Sequence, residues 1–169
     1  MELAAQIVGF CGTAGLFISY QQNTKNRILL FQILGITMFT LHFFLLSAWS
    51  GCIMNLLGIG RALLYAYTEQ KGLHVRWLCP LLCAVFTAAA VLTWESAFSL
   101  LPTAAMLLST LAYEQKQPRR FRRLMFPCSP LWMVYNIHSG SVSGVVTEAF
   151  AMLSLGVAMW RYDRAPKSE

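Results

Sequence analysis

Charge is what this sequence has least of. Only 12% of its 169 residues are Asp, Glu, Lys or Arg, about half of the roughly 25% usual in a soluble domain. Hydrophobic residues make up 57%, and the mean hydropathy is +0.54. Such a chain reads as a membrane protein. The cysteines have no pattern either. There are five, Cys11, Cys52, Cys79, Cys83 and Cys128, an odd number with no CxxC. All lie in apolar runs, so they read as small buried apolar residues. Three histidines without ligand spacing offer no zinc site. No nucleophile–base pair, phosphate-cradling loop or intramembrane carboxylate pair is evident. The expectation is therefore a non-enzyme without a cofactor. No basic region precedes the apolar stretch from Leu3, which argues against a cleaved signal peptide. The net charge of +6 does not indicate nucleic acid, because the basic residues sit in short loops between apolar spans.

Seven apolar spans are expected: Leu3–Tyr20, Ile28–Ser47, Gly51–Tyr67, Val75–Trp94, Ala97–Tyr113, Leu124–Ser139 and Val142–Trp160. They are short for a hydrocarbon core of about 30 Å, and charge decides that they cross. With seven crossings, one side receives the N-terminus and the links 48–50, 95–96 and 140–141, and no Lys or Arg. The other side receives all but one of the 13 basic residues, from Lys25 and Arg27 to Arg161, Arg164 and Lys167. By the positive-inside rule that side is cytoplasmic, so the N-terminus is outside and the C-terminus inside. Gly9, Gly12 and Gly15 recur every third residue in the first span, a small-residue stripe that lets a neighbouring helix approach closely. Trp49, Trp94 and Trp160 fall at span ends, where interfacial belts form.

Two stretches echo each other at an offset of 93 residues, HFFLLSAWSGCIMN (42–55) and YNIHSGSVSGVVTE (135–148). Ser50-Gly51 falls on Ser143-Gly144, Asn55 on Glu148 and His42 on Tyr135. Tyr20/Tyr113, Gln22/Gln115 and Arg27/Arg120 coincide at the same offset. Both triplets have a basic loop after their first helix and a charge-free link after their second. This reads as an all-α, parallel 3+1+3 repeat. Residues 1–67 form the first three-helix bundle, 68–96 a linker with an inversion helix, 97–160 the second bundle and 161–169 a cytoplasmic tail.

That architecture resembles the SWEET and PQ-loop transporters, in which two three-helix units are joined by an inversion helix. HFFLL (42–46), LLP (100–102), Ser109-Thr110 and YN-x-x-x-GS-x-x-G-x-x-x-E (135–148) resemble a narrower group, the YgjV-like bacterial inner membrane proteins. The second resemblance implies the bacterial inner membrane and no particular activity. SWEET-type units place a proline in each of their first two helices. Here Pro102, Pro127 and Pro130 are candidate hinges in the second triplet, while their partners in the first are Gly9, Leu34 and Thr37. The PQ dipeptide is absent.

Intramembrane polar groups are the candidate site. Glu148 lies about 6 Å past Gly144 at about 1.5 Å per residue, inside the apolar layer, where a carboxylate needs a partner, a proton or a wet cavity. It reads as a substrate or proton site, or as one end of an interhelical hydrogen bond. In SWEET-like proteins the third and seventh helices offer paired asparagines to a sugar. The resemblance implies that Asn55 and Glu148 face each other across a central cavity. A carboxylate in place of one amide favours a cation, a proton-coupled substrate or a polyol. Trp132, matched with Phe39, would clamp a sugar ring or pack. With Asn136, the candidate substrate-binding set is Asn55, Glu148, Trp132 and Asn136. His42, Tyr135 and His138 cluster towards outer helix ends as a candidate gate or proton relay. Arg61, about 15 Å past Gly51, would snorkel to anionic lipid or pair with Glu148. The run RRFRR reads as an orientation signal and phospholipid contact. Two functions follow: a carrier for a small polar solute, working by alternating access, or a non-transporting scaffold that binds lipid or a partner. Membrane lipids and the solute are the expected partners, with a homo-oligomer left open.

Overall fold

The computed structural model describes residues 2–20, 22, 25–73, 75–115 and 117–163. Of the basic residues used to orient the chain, Lys116, Arg164 and Lys167 lie outside the described residues, as does most of the tail at 161–169. Among the described residues all regular structure is helical. The helices are α1 (Glu2–Tyr20), α2 (Lys25–Leu45), α3 (Trp49–Gln70), α4 (Leu78–Leu92), α5 (Leu100–Tyr113), α6 (Pro118–Met125), α7 (Cys128–His138) and α8 (Val142–Asp163), with a 3₁₀ turn over Ala97–Ser99 entering α5.

The basic run expected as a loop is itself helical, as α6. Pro118 at its first turn needs no donor there. Pro127 and Pro130 then withhold two backbone N–H groups, and the chain breaks between α6 and α7. Pro102 instead sits in the first turn of α5, where its missing donor costs nothing.

α1 packs along α2 and α2 along α3, while α5 packs along α7 and α7 along α8. α3 meets α5, and α1 meets α8, which closes six helices into a ring. The glycines of α1 make two of these contacts. A Cβ on Gly15 would stand 3.1 Å from Gly35 Cα of α2, so the two backbones touch there. Gly9 sits against Ser143 and His42. α4 lies outside the ring on α3 and α5. Leu78, Leu82, Phe86 and Ala90, four residues apart, put one stripe of α4 onto Met54 and Met106.

The polarity is that of a chain in hydrocarbon. Large apolar side chains stand exposed on the outside of most helices, among them Leu3, Leu34, Phe44, Leu64, Val91, Leu153 and Val157, more than a soluble surface tolerates as a contiguous area. Thr13, Ser19, His42, Ser50, Ser109, Thr110, Asn136 and Ser143 are buried between helices. Among the described residues two helices are long and apolar enough to cross a membrane by length and composition, at Glu2–Ser19 and Val142–Asp163; the apolar stretches Leu30–Leu45, Leu78–Leu92 and Ala97–Tyr113 are shorter.

The turns after α2 and α7 have one hydrogen-bond pattern. Leu46, Ser47 and Ala48 N–H donate to the carbonyls of His42, Phe44 and Phe43, and Ser139, Gly140 and Ser141 N–H donate to those of Tyr135, Ile137 and Asn136. Ser47 (φ 57°) and Gly140 (φ 70°) take the same left-handed conformation. Each of these pairs is 93 residues apart.

Candidate functional site

The ring encloses a cavity of about 180 Å³. Every ring helix lines it: α1 with Leu16, α2 with Phe39 and Phe43, α3 with Asn55, Gly58 and Arg61, α5 with Met106, α7 with Trp132 and Asn136, and α8 with Gly144, Thr147 and Glu148. All four candidate substrate-binding residues are therefore brought to one place. Phe39/Trp132, Phe43/Asn136 and Asn55/Glu148 are pairs at the offset of 93.

Each polar side chain has its own environment. Asn55 Nδ2 donates to Gly51 O one turn back, at 2.9 Å, which leaves its carbonyl oxygen for other partners. Asn136 is buried, and its Oδ1 has no partner. Gly144 lies directly against that oxygen, and a Cβ there would collide with it. Glu148 has the Ser129 hydroxyl of α7 as a polar neighbour. Trp132 stacks on Phe43, with ring centroids 6.0 Å apart, and meets Tyr135 edge-on at 5.9 Å. Its ring is packed on two sides and lines the cavity as well.

Arg61 takes neither of the two places expected of it. Its side chain is buried, and Nη1 donates to Ser109 Oγ (2.5 Å), Thr110 Oγ1 (3.1 Å) and Met106 O (3.2 Å) of α5. The guanidinium also lies over the rings of Tyr113 and Phe86, at 5.0 and 5.6 Å. All these partners are neutral, and Nε has none.

The expected gate residues have different settings, though His42 and Tyr135 both pack on Phe43, and Tyr135 and His138 line one surface hollow. His42 is fully buried; its Nδ1 donates to Ala5 O at 2.7 Å, since a carbonyl only accepts. In the neutral ring Nε2 then accepts from Ser141 Oγ at 2.7 Å, and Ser141 Oγ accepts from Gly144 N–H at 3.1 Å. This chain ties α1, α2 and α8 together. Tyr135 is buried, and its hydroxyl accepts from Gly51 N–H at 2.8 Å. His138 is exposed, stacks on Phe98 with centroids 3.9 Å apart, and does not line the cavity.

Sequence reasoning missed three residues at this end. Glu95 accepts from Trp49 and Ser50 N–H (2.9 and 3.1 Å) and so caps α3 from outside it. Gln6 does the same for α8: its Oε1 accepts from Val142 and Ser143 N–H at 3.1 and 3.3 Å, while Nε2 donates to Gly140 O. Ser99 bonds Ser50. The available signal was the offset, since Gln6 and Ser99 are 93 residues apart and serve the starts of α8 and α3.

On the far side of the cavity lies a wider one of about 710 Å³, which shares Leu16 and Thr147 with the first and reaches Tyr113, Phe121, Leu155 and Ala158. Tyr113 ends α5, Phe121 belongs to the basic helix α6, and Leu155 and Ala158 lie in the last part of α8. Beside it, Arg122 of α6 pairs with Asp163 at the end of α8.

A family model described as bacterial inner membrane protein, Imp-YgjV, matches residues 3–166. No curated protein and no solved structure matches the chain.

Proposed function

The chain belongs to the Imp-YgjV family of bacterial inner membrane proteins, and from that premise we propose that it carries a small polar solute across that membrane. The observation that carries this reading is the cavity on the axis of the ring, lined by all six helices and by Asn55 and Glu148 at matched positions. A bundle built only to hold itself together fills its axis with side chains. Here the axis has space and unpaired polar atoms.

The carrier is read as a 3+1+3 repeat, with α1–α3 and α5–α8 as halves and α4 as the inversion helix. Support comes from the turns that share hydrogen bonds and a left-handed residue at the offset of 93. It comes also from helix bounds, since α3 (Trp49–Gln70) and α8 (Val142–Asp163) coincide at that offset. Seven crossings, with the basic segments in the cytoplasm, remain the proposed topology. In that frame the described state is open inward. The wide cavity faces the basic side, while the opposite end is tied by Gln6–Val142, His42–Ser141, Tyr135–Gly51 and Glu95–Trp49.

A thermal-shift screen of purified protein against sugars, nucleosides and amino acids tests the reading. A solute that raises the melting temperature of the wild type, and does so less in Glu148→Gln, supports it. A hit indifferent to Glu148→Gln removes that carboxyl from the site.

A further inference from the structure

The cavity has two ionisable poles. Arg61 remains cationic at any ordinary pH and lines the cavity from α3, while Glu148 lines it from α8. Among the described residues no carboxylate pairs with Arg61. Its hydrogen bonds all run through Nη1 to neutral groups of α5, and its buried Nε is unpartnered. Arg61 is thus a buried cation with only neutral partners on the wall of a cavity, where a solute anion would supply the missing counter-charge.

We infer that the solute is a small amphoteric molecule, an amino-acid-sized zwitterion whose carboxylate meets Arg61 and whose ammonium meets Glu148. The inference rests on the carrier reading and adds the substrate class to it. A neutral polyol or a simple cation would leave the Arg61 charge without a counter-ion in a low-dielectric site, and a simple anion would leave Glu148 to be met by a proton instead of by the solute. A solute with both charges pairs both. Size agrees: about 180 Å³ holds about six waters at about 30 Å³ each, which suits a solute of similar atom count.

The poles stand on different levels. Neighbouring residues of α7 touch the starts of both helices, Tyr135 at Gly51 and Asn136 at Gly144, so the two starts lie level. Arg61 is ten residues beyond the first and Glu148 four beyond the second, a difference of about 9 Å along the helices. Solutes with separated charges, β-alanine and γ-aminobutyrate, are therefore expected to bind more tightly than glycine and alanine.

Calorimetric titration of the purified full chain tests this with glycine, alanine, β-alanine and γ-aminobutyrate. Butyrate and butylamine serve as one-pole controls and xylitol as a neutral one. The expected result is binding of at least one amino acid, with both one-pole controls weaker by about tenfold or more. Glu148→Gln and Arg61→Gln should each cost a similar factor. If Arg61→Gln fails to fold, the one-pole controls on the wild type still decide. Butyrate or butylamine binding as well as the amino acid would overturn the inference, as would amino-acid binding unchanged in both variants. Xylitol binding without any amino-acid binding would overturn it while leaving the carrier standing. No binding by any of the seven, with the cavity closed to an aqueous thiol reagent, would overturn both.

Discussion

Single residues carry the most local strain and the sharpest tests of packing. Ser47 holds a left-handed conformation (φ 57°) that its counterpart Gly140 adopts as a glycine. The left-handed region costs a side-chain-bearing residue roughly 1–2 kcal/mol, of which glycine's greater freedom when unfolded returns part. Ser47→Gly is therefore expected to stabilise by about 1 kcal/mol, read as a rise in melting temperature of about 2–4 °C. Gly144 and Gly60 make a contrasting pair. A Cβ at Gly144 collides with Asn136 and Ser141, whereas at Gly60 it meets nothing within 4 Å. Gly144→Ala should cost about 1–3 kcal/mol by overpacking, and Gly60→Ala should gain about 0.5–1 kcal/mol from helix propensity. Thermal melts of the two variants check the difference in sign. At this scale Asn55, Glu148, Trp132 and Asn136 were legible because a polar residue in an apolar run needs a reason to be there. The partners of Arg61 were not. Ser109 and Thr110 stand 48 and 49 residues away along the chain, and nothing in the local pattern around any of the three residues joins them.

Elements are held by bonds that reach across the fold from segments distant in sequence. The N-terminus of α3 has no side-chain cap of its own. Glu95, from the link before α5, accepts from two of its first backbone donors. A carboxylate there satisfies orphan N–H groups and meets the positive end of the helix dipole. Glu95→Ala should lower stability by about 1 kcal/mol, and Glu95→Gln, which keeps one acceptor, by less. Equilibrium unfolding in mixed detergent measures both. Helix positions were largely readable from the apolar runs, and α1 begins and ends within one residue of the expected span. α6 was not readable, since four arginines in eight residues look like a loop by hydropathy. Their helical register shows only once Phe121 is seen against Tyr113, and Arg122 against Asp163. The two caps from Gln6 and Glu95 escaped notice because capping rules describe residues adjacent in sequence, and these reach across the fold.

The whole molecule is a ring of helices around a cavity with a few polar groups on a largely apolar wall, one end tied and the other wide. The offset of 93 was visible in the sequence through turn residues alone, because a turn constrains residue type more tightly than an apolar helix does. Which helices would be neighbours was not visible. The contacts α1 with α8 and α3 with α5 depend on how small residues and hydroxyls mesh between halves. The central claim is that water and solute reach Glu148 from the basic side. Substituted-cysteine labelling tests it most directly. Single cysteines at Ser129, beside Glu148 and on the wall of the wider cavity, and at Ser154, elsewhere on that wall, are placed in a chain whose five native cysteines are replaced by alanine. Each is treated with a membrane-impermeant thiol reagent in inside-out and in right-side-out vesicles. Labelling of both positions in inside-out vesicles, and of neither in right-side-out ones, is the expected result. Protection of Ser129→Cys in both orientations would mean a dry axis and would contradict the account.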